Sequence, residues 1–149
     1  IVGGIPDDHK SAITPEALQA WSQPPNQVWL GKLDSIQSVI KDADCVVLPS
    51  YYREGTPRVL LEAAAMGRPV IAADSIGTRE PVIDGQTGFL CAPADADSLA
   101  NAMQRMIELG PRQRCDFGLA GRQLMENQYD VRFVVGAYLE KIAQVVDQE

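Results

Sequence analysis

The sequence has one histidine and three cysteines among 149 residues, too few for the usual metal centre or disulfide framework. His9 stands alone in the polar stretch PDDHKS and reads as a surface-loop residue. Cys45, Cys91 and Cys115 are odd in number and form no CxxC pair. Cys45 and Cys91 sit in apolar, strand-like runs and read as small core residues. Thiols used this way point to a reducing, cytoplasmic compartment. No apolar run approaches the roughly 20 residues needed to span a bilayer. No basic segment leads into an apolar stretch near Ile1, so no signal peptide is visible. The chain opens on Ile1 rather than methionine and reads as a piece of a longer protein. Basic excess is lacking too. The net charge is −7, which argues against a nucleic-acid partner. Arg112, Arg114, Arg122 and Arg132 fall close together late in the chain and read as solvated helix charges.

What is present is an ordinary globular composition, 46% hydrophobic and 22% charged, at a length that suits one core. IVGG at the start reads as a strand end. TPEALQAW reads as a helix, with Thr14 as N-cap and Pro15 at its first position. NQVWLG reads as a short strand closed by Gly31, and SIQSVIKDA has helical spacing. DCVVLPS and RPVIAAD are continuous apolar strands flanking a helix from Thr56 to a stop at Gly67. TREPVID reads as a short helix or turn, and GFLCA as a strand. DADSLANAMQRMIEL reads as a capped helix, and two more helices follow near Pro111 to Asn127 and Val131 to Asp147. The acidic groups PDD, DAD and ADAD read as turn and cap residues rather than metal ligands. Strand and helix alternate, and the strands are apolar throughout. The pattern predicts an α/β fold: a Rossmann-like parallel sheet with helices on both faces. In such sheets ligands bind beyond the carboxyl ends of the strands, where YYREGTPR falls.

The stretch REGTPRVLLEAAAMGRPVIAAD carries two glutamates, Glu54 and Glu62, eight positions apart. With Thr56 as N-cap and Pro57 as first helical residue, steps of about 100° place Arg58 and Glu62 on one polar stripe of a nearly buried helix. A simple Arg58–Glu62 ion pair is one reading. Arg ahead of Glu is the poorer order for such a pair, and a cation in the first turn opposes the helix dipole. An anion at the helix N-terminus removes that conflict. Backbone N–H groups of Gly55, Thr56, Arg58 and Val59 are available to phosphate or hydroxyl oxygens, whereas Pro57 has none.

EGTPRVLLE, within LPSYYREGTPR and GRPVIAAD, resembles the E-x7-E motif of the family-4 retaining glycosyltransferases of the GT-B fold. The similarity runs from about Ile1 to Met106. It implies that residues 1–149 are a partial C-terminal nucleotide-sugar-binding domain, with an N-terminal acceptor domain and the start of this domain absent. It implies that Glu62 accepts hydrogen bonds from the ribose and that Glu54, the candidate catalytic residue, contacts the transferred sugar. Gly55 and Thr56 then line the sugar with backbone. Arg58 and Val59 meet the diphosphate through their N–H groups, and Leu33 marks a loop whose backbone reads the base. The family's Arg and Lys that clamp the diphosphate fall upstream of Ile1.

The resemblance implies a nucleotide-sugar substrate, a UDP-sugar by the LPSYYREGTPR variant. The acceptor is a glycan or a lipid-linked glycan, as in bacterial cell-surface polysaccharide synthesis. No metal or cofactor is implied. The implied location is cytoplasmic, with room for peripheral association of the intact enzyme at the inner face of the plasma membrane. A non-catalytic module that binds a nucleotide-sugar on the same fold is the alternative. A dinucleotide oxidoreductase is excluded by the absence of G-x-G-x-x-G between a strand and a helix.

Overall fold

The computed structural model describes residues 1–4, 13–53 and 55–146; His9, Glu54 and Asp147 lie outside them. The chain divides into two compact units, Ile1–Ile36 and Gln37–Glu149.

In the first unit, helix α1 (Pro15–Trp21) starts as its sequence predicts. Thr14 is extended, and its Oγ1 accepts a hydrogen bond from the Ala17 N–H at 3.2 Å. IVGG and NQVWLG, expected as strands, form no regular strand. They are held side by side by isolated backbone bonds, Leu30 N–H to Ile1 O and Gly3 N–H to Gly31 O, both 2.9 Å. The Trp29 indole N–H adds a bond to Gly3 O at 3.0 Å. Gly31 takes φ 70° and turns the chain where the sequence expects this segment to close.

The second unit carries helix α2 (Gln37–Asp42), strand β1 (Val46–Leu48), helix α3 (Arg58–Ala65), strand β2 (Val70–Ala73) and strand β3 (Gly88–Cys91). Helix α4 (Ala96–Glu108), helix α5 (Gly110–Leu124), a π-helical turn (Met125–Tyr129) and helix α6 (Val131–Val146) complete it. The strands form a parallel sheet in the order β1-β2-β3, with Val46 opposite Val70 and Val70 opposite Gly88. The β1–β2 crossover runs through α3, as parallel pairing requires. All four residues of the central strand β2 are buried, so both faces of the sheet are covered there. On one face Ile71, Ala73, Phe89 and Cys91 pack with Ala102 and Met106 of α4. Cys91 and Cys45 are free thiols, one buried and the other partly so.

Cap chemistry fixes the helix ends that matter. Asp95 accepts from the Ser98 N–H at 2.9 Å and starts α4. After α3, Gly67 takes φ 69°; its N–H bonds Ala64 O, and the Arg68 N–H bonds Ala63 O, both at 2.9 Å. That is a Schellman stop, which returns the chain directly into β2. Helix α5 then crosses close by: a Cβ at Gly118 would stand 2.0 Å from Gly67 O.

Two of the late arginines are more than solvated charges. The Arg114 guanidinium donates to Ile107 O at 3.2 Å, near the end of α4, and lies 3.5 Å from Asp44. A cation there complements the helix dipole. Arg122 donates to Ala65 O at 2.9 Å, joining α5 to the end of α3. Helix α6 buries no side chain, and Phe133, Val134, Tyr138 and Leu139 along it are exposed. Among the described residues, no helix is long and apolar enough to cross a membrane.

Candidate functional site

The site is built where β1 hands over to α3. The strand stops at Leu48, Tyr51 O lies against Ser75 just beyond β2, and Gly55 and Thr56 precede α3. Thr56 is not the N-cap expected of it. Pro57 takes that place, with extended backbone (φ −66°, ψ 127°) and no side-chain cap bond, and Arg58 opens the helix. The reason lies in the Pro57 carbonyl, which accepts from Leu60 N–H at 3.1 Å and Leu61 N–H at 3.5 Å and so takes the first helical bonds. Among the described residues, no hydrogen-bond acceptor meets the N–H groups of Arg58 and Val59. They sit at the positive end of the α3 dipole.

Helix α3 presents its inner face through Leu60, Ala63 and Ala64, all buried. It is less deeply buried than its sequence predicts, because Ala65 and Arg58 are exposed. Arg58 and Glu62 do share a face. Arg58 Nη2 lies 3.1 Å from Glu62 Oε1, with the Arg58 side chain 89% exposed and that of Glu62 only 26%. Glu62 is thus a half-sheltered carboxylate one turn along from two free N–H donors. Among the described residues, no atom lies within 4 Å of a Cβ placed on Gly55, so the chain is open at that position.

The structure therefore places Gly55, Thr56, Arg58, Val59 and Glu62 on one turn-and-helix element. Leu33 belongs to the first unit and is exposed there, and Glu54 lies outside the described residues. Among the described residues, no three His, Cys, Asp or Glu side chains are grouped to hold a metal ion.

Sequence reading set YYREGTPR at the ligand end of the sheet but gave Tyr51 and Tyr52 no role of their own. Tyr51 and Tyr52 stack with ring centroids 4.6 Å apart and an interplanar angle of 25°. The Tyr51 hydroxyl donates to that of Tyr52 at 3.4 Å, and this contact pushes the Tyr51 phenol up from its ordinary pKa. Ser75, just beyond β2, donates its hydroxyl to Tyr51 O at 3.5 Å, which ties the segment to the neighbouring strand end. The doubled tyrosine before REGTPR was the available signal.

The chain belongs to the family described as Glycosyl transferases group 1, whose profile matches residues 1–109. Glycogen synthase of Mycobacterium tuberculosis is 37% identical over 111 residues, which cover 73% of this chain and 26% of the relative. Sucrose-phosphate synthase from Thermosynechococcus elongatus superposes with a TM-score of 0.82 at 28% identity, over 99% of this chain and 38% of that one. HepE of Anabaena, solved in complex with UDP, superposes at TM-score 0.73 and 27% identity, over 79% of this chain and 32% of its own. Its complex with UDP-glucose superposes at 0.75 and 25%, over 87% and 35%. The architecture is that of the GT-B glycosyltransferases. The chain spans well under half the length of each of these relatives.

Proposed function

We propose that residues 1–149 are part of the C-terminal donor-binding domain of a family-4 retaining glycosyltransferase that uses a UDP-sugar. The observation that carries the reading is the start of α3. Two N–H groups with no acceptor among the described residues, on Arg58 and Val59, stand at a positive helix end, and the Glu62 carboxylate follows one turn later. A diphosphate suits the first feature and a ribose diol the second, because a carboxylate only accepts hydrogen bonds. The open space at Gly55 leaves room for the donor sugar, with the Thr56 backbone beside it and Glu54 as its hydroxyl acceptor. HepE, bound to UDP and to UDP-glucose on a similar fold, supports the choice of donor. Leu33 is assigned to base readout by the family resemblance.

In the transfer, the bond from the anomeric carbon to the diphosphate breaks and one to an acceptor hydroxyl oxygen forms, with the configuration retained. The helix N-terminus offsets part of the charge that develops on the leaving diphosphate. The remainder falls to a basic clamp expected upstream, in the part of the enzyme that also brings the acceptor. The acceptor is a glycan or lipid-linked glycan of a bacterial surface polysaccharide. The reaction calls for no metal. The working location is the cytoplasm, at or near the inner face of the plasma membrane.

The test uses the full-length protein with UDP-, GDP- and ADP-sugars, following release of the nucleotide diphosphate and the anomeric configuration of the product. Transfer from a UDP-sugar with retained configuration is expected. Glu54→Gln should lower transfer by roughly tenfold to a hundredfold, because donor positioning governs the barrier, while UDP binding stays unchanged. Donor binding without transfer would mark a non-catalytic module. Binding of no nucleotide would remove the site altogether.

A further inference from the structure

The tyrosine pair upstream of the turn stands at the surface. Tyr51 and Tyr52 are 50% and 53% exposed, and neither belongs to the buried core. Exposed aromatic rings leave apolar surface in water, which is unfavourable unless something covers it. The pair is nonetheless held in a defined arrangement. The rings stack at 4.6 Å, and Tyr51 O is tied to Ser75 across the carboxyl edge of the sheet. That edge is where ligands meet parallel sheets, and Gly55 follows only four positions after Tyr51.

We infer that the stacked Tyr51–Tyr52 pair is a platform for a pyranose ring, a sugar-positioning element that extends the site beyond Glu54 and Glu62. The chemistry matches on both sides. A pyranose shows an apolar face of C–H groups ringed by hydroxyls. A tyrosine shows an apolar face with a polar tip, and buried tyrosine hydroxyls find partners. The outer face of the stack is one aromatic ring, about as wide as one pyranose, and the second ring backs it. Gly55, three positions after Tyr52, has open space at its missing Cβ among the described residues. The inference rests on the reading of the site as a glycosyltransferase donor site. The pyranose belongs either to the donor or to the acceptor chain.

Binding titrations on the full-length protein separate these sources. UDP, UDP-glucose and maltohexaose are titrated separately into the wild type and into Tyr51→Ala, Tyr52→Ala, Tyr51→Phe and Tyr52→Phe. The platform predicts that an alanine variant loses about tenfold in affinity for one sugar probe, that the matching phenylalanine variant recovers it, and that UDP affinity is unchanged. Loss confined to UDP-glucose assigns the platform to the donor; loss confined to maltohexaose assigns it to the acceptor. Sugar affinities within twofold of wild type in folded alanine variants overturn the inference, as does an equal loss for UDP. If the wild type binds neither UDP nor UDP-glucose, the donor-site reading fails. Maltohexaose affinity then decides the platform independently.

Discussion

Arg58 and Glu62 form an ion pair of 3.1 Å across one turn of α3, although Arg58 is almost wholly in water. An exposed pair of this kind, with the cation ahead of the anion, contributes at most about 0.5 kcal/mol. Arg58→Ala should therefore leave the urea midpoint almost unmoved. A loss above about 2 kcal/mol, beyond the range of exposed pairs, would show that the pair holds α3 in place and that Glu62 has a structural task.

The approach of α5 to the end of α3 makes a second prediction. At Gly118 a Cβ would sit 2.0 Å from Gly67 O and 2.7 Å from its carbonyl carbon, both backbone atoms that cannot rotate away. At Gly121 it would meet Ala64 Cβ at 3.6 Å, an ordinary contact. Gly118→Ala should cost about 1–3 kcal/mol or more as α5 is pushed off, and Gly121→Ala clearly less. Equal denaturation midpoints for the two variants would contradict the packing.

Thiol chemistry reports on the same core. Burial pushes the Cys45 thiol up to about 12 and raises that of Cys91 too, whereas Cys115 is exposed on α5. Because the thiolate is the reactive form, iodoacetamide at pH 8 should label Cys115 first, with Cys45 and Cys91 labelled only on unfolding. The linkage has a definite sign. The folded state holds the Cys45 proton more tightly than the unfolded state, whose thiol titrates near 9.0. Stability from this group is complete below pH 9 and falls as pH rises toward about 12. Fast labelling of Cys45 at pH 8, seen by peptide mapping, would contradict its burial.

Much of this was legible in the sequence, for identifiable reasons. PVIAA announced a buried parallel strand because neither face of such a strand meets water. CVVLP announced a parallel strand but not its exposure: β1 stands at the end of the strand order, and Val47 is exposed. Thr14, Asp95 and Gly67 announced helix ends because their cap chemistry is local. The start of α3 was misread by one residue. Thr56 has cap chemistry, but the choice fell to the Pro57 carbonyl and its bonds to Leu60 and Leu61. The strands expected at IVGG and NQVWLG are replaced by a few backbone bonds, at Ile1, Gly3, Val28, Leu30 and Gly31, that do not extend into a ladder. Arg122 was read as a solvated charge because its partner, Ala65 O, is 57 positions away and no local pattern shows it. In the site, Arg58, Val59 and Glu62 could be placed from helical spacing alone. The roles of Glu54 and Leu33 rest on the motif and its family.

Glu62 as the ribose acceptor is the claim on which the rest of the site depends. It is tested most directly by calorimetric titration of UDP into full-length wild-type protein and Glu62→Gln, with circular dichroism as the check on folding. A charge-assisted hydrogen bond is worth roughly 1.5–3 kcal/mol, so the variant should bind UDP about tenfold or more weakly while keeping its fold. Unchanged UDP affinity in a folded Glu62→Gln variant would contradict the claim and leave Glu62 as no more than the partner of Arg58.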